Sequence, residues 1–261
     1  MNKSLKSICG VLILITLVFP SLYGQRHTSN DDLLYKKEII RAIDLREKQN
    51  LPLYSYNKEI GALLLEAILN GEITAYKNDS LTRTLTIPEV QQRLSINGSN
   101  IYWADTIGMT QEEKTTFIED NQEYYFEGKD LYQMQLVQEW TINNQTSTKE
   151  VVNKSITFLV PADHPDNIRG YELLAFTLDF EDCLEFWNNN PNTFWFNPYN
   201  DAEHLAMADA FTLELYSSYI IKISNPENEY ISDTYENTNS RVASQNTEFQ
   251  LMEYESNIWE N

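Results

Sequence analysis

The chain has 261 residues, with 39 acidic against 19 basic and a formal net charge of −20. A field of that sign repels nucleic acid and anionic lipid, which sets both aside as partners and leaves a basic protein or open solvent. Of the two cysteines, Cys9 falls in an expected leader, so Cys183 stands alone and an internal disulfide is excluded; the fold must rest on burial, in one large domain or two small ones.

Residues 1–24 read as a secretory signal peptide. Lys3 and Lys6 precede an apolar run, ICGVLILITLVF, that is too short to span a bilayer, and Pro20 with small and polar residues leads to cleavage after Gly24. Cys9 lies at the very start of the apolar run, whereas a lipid-bearing cysteine would follow it. The mature chain is therefore expected to be exported without inserting into a membrane. Its polar start, as far as Asp32, reads as loose.

YKKEIIRAIDL follows as a strand carrying Ile39, Ile40 and Ile43. It runs into IDLREKQNLPLY, residues 43–54, where Asp44, Arg46, Glu47 and Lys48 crowd together. Such a cluster suits an acid/base site, a solvated strand end or a grip on a partner, and the residues alone leave all three open. Pro52 interrupts the strand. Asn57 is placed as a helix cap before IGALLLEAILN, whose Ile60, Leu63, Leu64, Ala67 and Ile68 recur at helical spacing. Gly71 is placed as a C-cap glycine, and EITAYKND reads as a strand ending in a turn.

IEDNQEYYFEGKD is an acidic connector. Residues 131–160 then alternate with period two: Tyr132, Met134, Leu136, Trp140 and Ile142 on one arm, Val152, Ile156, Phe158 and Val160 on the other, with NNQTST between. That predicts a β-hairpin with one buried face. Residues 171–225 repeat the order of residues 35–85: the apolar run YELLAFTLDFEDCLE ending in acids, then an aromatic loop with Pro198 in the place of Pro52. A helix over DAEHLAMADAFTLELY follows, capped by Asn200 with Glu203 as its capping-box partner, and the strand YIIKIS closes the unit. The expected fold of residues 25–225 is α+β: two related strand–loop–helix–strand units around a central hairpin, as an internal duplication would leave them. Residues 226–261 form a polar extension, a linker or loosely held helix. It closes on FQLMEYESNIWEN, whose Trp259 is expected to dock on its own domain or a neighbour's.

Signals for chemistry are few. PADHPDNIRG sets His164 between Asp163 and Asp166, but neighbours in a proline-rich loop fan apart, so a polar turn is expected rather than a metal site. His204 reads as the exposed first turn of a helix. Asp179, Glu181 and Asp182 surround Cys183, and acids raise a thiol pKa, which counts against a nucleophile. Phosphate-loop, HExxH and GxSxG patterns do not occur. The chain therefore reads as a non-enzyme without cofactor or metal. Phe194, Trp195, Phe196 and Tyr199 can stack on a sugar or plug a core. That keeps open an exported binding module for a small molecule or glycan, with loop 194–199 as its groove. A hydrolase using His164 or Cys183 is the third reading.

Several stretches resemble the GldN/PorN family, the gliding-motility and type IX secretion ring proteins of Bacteroidetes. The first is IDLREKQNLPLY, with Ile43, Asp44, Leu45, Arg46, Glu47, Lys48, Asn50, Pro52, Leu53 and Tyr54 in the family's pattern. The others are LNGEITAYKND, WFNPYNDAEHLAMADAFTLELYSSYIIKISNP and the closing EYESNIWEN. Met207 departs from it, standing where a Trp is usual. The resemblance implies a non-enzymatic component of a homo-oligomeric periplasmic ring. There it would assemble with an outer-membrane lipoprotein of the GldK/PorK type and meet an inner-membrane motor protein of the GldM/PorM type, associated with the outer membrane through its partner. On that reading Asp44, Arg46, Glu47 and Lys48 form ion pairs that fix the strand end and present Tyr54 at a subunit contact, with Trp195, Tyr199 and Trp259 as further contact residues. Asp79-Ser80-Leu81 and Asp105-Thr106-Ile107 also resemble an O-glycosylation acceptor pattern, with an ordinary turn as the alternative.

Overall fold

The computed structural model describes residues 33–96, 110, 125–143, 148–167, 169–200, 202–235 and 238–260. The expected leader, Thr106 and the side chain of Trp259 lie outside the described residues.

Strand β1 (Leu33–Asp44) forms where β-branched Ile39, Ile40 and Ile43 suit a pleated surface. It pairs antiparallel along its length with β3 (Gln133–Asn143), which pairs in turn with β4 (Thr148–Val160). Beyond these, β5 (Leu173–Asp179) joins β4 and the short β2 (Ala75–Tyr76) joins β5, while β8 (Tyr219–Ile223) lies on the free edge of β1. The sheet order is β2-β5-β4-β3-β1-β8. That order is symmetric about the expected hairpin. Segments 35–85 and 171–225 each set their first strand beside the hairpin and their last strand against the other segment, but the second carries an extra helix, residues 180–189, directly after its first strand. A separate ribbon pairs β6 (Phe194–Trp195) with β7 (Leu205–Ala206).

The register carries one apolar row across four strands: Ile43 opposite Met134, Met134 opposite Phe158, Phe158 opposite Phe176. All four are buried, together with Leu136, Ile156 and Leu178 in the next row. Four helices pack on this face, namely α1 (Ile60–Leu69), α2 (Ile87–Leu94), α3 (Phe180–Asn189) and α4 (Met207–Thr212). Leu64, Val90, Cys183 and Phe211 reach the same core, and Trp187 stacks on Phe211 with ring centroids 4.9 Å apart. Each such large side chain, fully buried, stabilises by about 1.5–3 kcal/mol. A second, smaller cluster joins Ile39 and Ile220 to Ile231 of α5 (Ile231–Thr234) and Ala243 of α6 (Ser240–Glu260). Between the two clusters Gln138, itself buried, accepts from Arg41 at 3.0 Å and donates to Asn153 at 2.8 Å, and Arg41 pairs with Glu248 of α6 at 2.8 Å.

Several local expectations change. The hairpin is buried on parts of both faces, since Val137, Ser155 and Thr157 on the reverse side are covered too, and Thr157 shares a hydrogen bond of 2.9 Å with Thr177 across the register. Asn57 adopts φ 58° and does not cap α1, which starts after Glu59. Gly71 does end it: at φ 75° it lets its own N–H donate to Ile68 O (3.0 Å) and that of Glu72 to Ala67 O (2.8 Å). FEDCLE, read as the acidic end of an apolar run, opens α3 instead; Asp179 caps it by accepting from Glu181 N–H at 2.9 Å, so the acids sit at a helix N-terminus where the dipole favours them. The helix expected from residue 201 begins only at Met207, because Leu205 and Ala206 are held in the ribbon, and Asn200 accepts from Ala202 N–H instead of capping it. The polar extension holds a helix of 21 residues, α6, whose inward residues are Ala243, Ser244 and Thr247. Small and hydroxyl side chains on a buried face leave no apolar stripe to read. Among the described residues no helix is long and apolar enough to cross a membrane.

Gly128, in the turn against α1, leaves no room for a side chain: an added Cβ would lie 2.2 Å from Ala62 Cα. Gly128→Ala is expected to destabilise the fold by about 1–3 kcal/mol, read as a lowered urea midpoint.

Candidate functional site

The turn after β1 is built from its own polar residues. The Asp44 carboxylate accepts from Arg46 N–H at 2.9 Å, and Asp44 O accepts from Glu47 N–H at 3.2 Å. Asn50 then enters the protein completely, with no exposed surface. Its Nδ2 donates to Asp44 O (2.7 Å) and Ser217 O (2.9 Å), and its Oδ1 accepts from Ser217 N–H (2.7 Å). One amide thus ties the end of β1 to the segment that enters β8. Sequence reasoning did not single Asn50 out as a site residue; its only signal was its place within IDLREKQNLPLY.

The clustered charges separate to different partners. The Arg46 guanidinium lies 3.6 Å over the Tyr132 ring, 3.3 Å from the Asp163 carboxylate and 3.6 Å from that of Asp44. The Tyr132 hydroxyl donates to Asp163 at 3.1 Å. Burial pushes the Tyr132 phenol up to about 12, against the opposing pull of Arg46. Desolvation acts upward on Asp163, yet the hydrogen bonds from Tyr132 and Arg46 outweigh it and hold the carboxyl below its ordinary value. Glu47 pairs with Arg241 of α6 at 2.5 Å. Lys48 is exposed and has no ion pair among the described residues.

His164 lies beside this group with Nε2 3.4 Å from Asp130, Nδ1 accepting from Asp166 N–H at 3.2 Å, and its ring edge-on to Phe126. Among the described residues no group of three His, Cys, Asp or Glu is placed to hold a metal. Cys183 is fully buried, and burial, followed by Asp182 and Asp179, raises its thiol well above the ordinary range.

The loop continues into a groove. Pro52 O accepts from Phe196 N–H at 3.0 Å, which joins the proline loop to the aromatic loop, and the Tyr54 hydroxyl donates to Lys129 O. His204, expected on a helix surface, lies instead in this wall: it stacks on Phe194 with centroids 4.7 Å apart, lies 4.9 Å from Phe196, and its Nδ1 accepts from Asn197 N–H at 3.1 Å. The groove holds about 1070 Å3 and is lined by Pro52, Tyr54, Tyr56, Trp195 and Tyr199 among others, with Lys48 and Lys58 as the only lysine, arginine or carboxylate side chains among the described residues that line it. Tyr199 is 94% exposed and Tyr56 88%. Trp195 is half-buried, its indole N–H without a partner among the described residues. Thus Lys48, Tyr54, Trp195 and Tyr199 converge on one groove. Asp44, Arg46 and Glu47 do not line it but brace the turn beneath. The Ser80 hydroxyl lies well apart, in an exposed turn, donating to Asn78 at 3.0 Å.

An antiparallel sheet backed by helices, with two loops from distant parts of the chain joined at one end, is the class of structure that these residues define. The family described as gliding motility associated protein GldN matches residues 28–260, and the chain belongs to that family. None of the curated proteins compared with it matches.

Asn50→Ala leaves both backbone groups of Ser217 without the amide's hydrogen bonds and removes one of the two that Asp44 O accepts, the other coming from Glu47 N–H. It is expected to lower stability by about 1–3 kcal/mol for each group that stays buried, whereas Arg46→Ala, at an exposed pair, costs about 0–1 kcal/mol; urea unfolding of the two variants checks the order. Because the folded phenol of Tyr132 titrates above its unfolded value of 10.0, its contribution is complete below pH 10 and is lost as pH rises toward about 12. Tyr132→Phe should therefore flatten the fall in urea midpoint between pH 10 and 12 relative to the unaltered chain.

Proposed function

We propose that this chain is a non-enzymatic structural component of the periplasmic ring of the type IX secretion and gliding machinery. It is exported, associates with the outer membrane through a GldK/PorK-type lipoprotein, and contacts a GldM/PorM-type inner-membrane protein. Family membership over residues 28–260 supports this reading. The observation that carries it within the fold is that the hallmark residues Asp44, Arg46, Glu47 and Asn50 are engaged in bracing a turn, and the groove beside them exposes aromatic rings. Such a surface suits contact with protein.

The test is affinity capture of the tagged chain from cross-linked envelopes, with bound proteins identified by mass spectrometry. Recovery of the lipoprotein in stoichiometric amount is expected; recovery of the chain alone overturns the reading. One observation favours a second reading, a small-molecule or glycan module: Phe194, Trp195, Phe196 and Tyr199 all line a groove large enough for a sugar. Calorimetric titration of the isolated chain with a glycan panel, giving saturable heat that Tyr199→Ala abolishes, would put that reading first.

A further inference from the structure

In a chain with 39 acids and 19 bases, no carboxylate lines the groove among the described residues, and Lys48 and Lys58 do. Neither lysine has an ion pair among the described residues, and the rings of Tyr56 and Tyr199 stand exposed in the same groove. An occupant that fits is apolar and acidic at once. Residues 253–261, EYESNIWEN, have that composition: Ile258 and Trp259 with Glu253, Glu255 and Glu260 nearby.

The path of α6 decides whose groove this segment can reach. The helix starts beside the braced turn, where Arg241 meets Glu47, and runs back along β1. Glu248 meets Arg41, the Tyr254 ring lies 5.0 Å from that of Tyr35, and Glu255 meets Lys149 at 3.0 Å. The far end of α6 thus lies at the opposite end of β1 from the groove, and a strand of 12 residues spans about 40 Å. The segment cannot fill the groove of its own chain.

We propose that the groove receives residues 253–261 of a second copy of this chain, with Ile258 and Trp259 among the aromatic rings and Glu260 beside Lys48 and Lys58. This inference rests on the ring reading above. A groove at one end and its occupant at the other make a head-to-tail contact, the kind that closes into rings. The cationic rim offsets, at the contact itself, the repulsion between two strongly acidic chains.

The test uses a fluorescein-labelled synthetic peptide of residues 253–261, titrated against the full chain by fluorescence anisotropy. Saturable binding is expected, weakened roughly tenfold or more by Lys48→Glu and by Tyr199→Ala, two exposed positions whose replacement leaves the core intact. A peptide carrying Glu260→Lys should bind the Lys48→Glu chain better than the unaltered peptide does. In the full chain, Trp259→Ala should lower self-association measured by sedimentation across a concentration series. Absence of saturable binding, or binding indifferent to both groove variants, overturns the proposal. So does displacement of nothing by the peptide when the lipoprotein or a glycan is bound through Tyr199. If the Trp259→Ala chain self-associates normally and still captures the lipoprotein, the groove inference falls while the assembly reading stands. Failure of the unaltered chain to capture the lipoprotein strikes the assembly reading itself, whatever the peptide does.

Discussion

The buried amide of Asn50 binds together two segments 167 residues apart, and the conformation of the whole functional end depends on it. A side-chain amide without partners is costly in an apolar interior. This one is satisfied only when the end of β1 and the approach to β8 lie side by side. The loop of residues 45–54 therefore keeps its shape only while the end of β1 and the approach to β8 stay side by side. Through Pro52 O and Phe196 N–H the same loop then fixes the aromatic wall. A local turn is thus conditional on a non-local strand pair.

The sheet spreads the same dependence over the chain. Because β8 lies on β1 and β2 lies on β5, neither half of the sequence completes its own edge. The Arg41–Gln138 network crosses the gap between the two apolar clusters and carries α6 with it. The result is one body in which the groove is set by contacts from the start, the middle and the end of the chain. A surface of that kind is held in one shape before a partner arrives, which lowers the ordering cost of binding.

The charges act mainly by placement. Exposed pairs such as Arg46 with Asp163 are each worth about 0–1 kcal/mol, so their weight in stability is small. Their arrangement matters more: Arg46 holds the turn against Tyr132 and Asp163, Glu47 is engaged by Arg241, and Lys48 is left facing the groove. The acids of IDLREKQNLPLY do not line the groove, and the two lysines that do are opposite in sign to the net charge of the chain.

β1, the hairpin and α1 were legible in the amino-acid order, because period-two and period-3.6 burial and the glycine that ends α1 are local properties. The brace formed by Asp44, Arg46 and Glu47 was legible as a crowded set of charges, and family membership as a string of specific residues. α3 was hidden because Asp179, Glu181 and Asp182 look alike as a strand end and as a capped helix start. α6 was legible only as a linker or loosely held helix, because its buried face is built of Ala243, Ser244 and Thr247, and the start of α4 was hidden because Leu205 and Ala206 pair with Phe194 and Trp195. Asn50, the join between the proline and aromatic loops, and the inward place of His204 belong to tertiary structure alone. The role of a polar side chain is set by its partner, and here each partner comes from a segment that local periodicity cannot bring near.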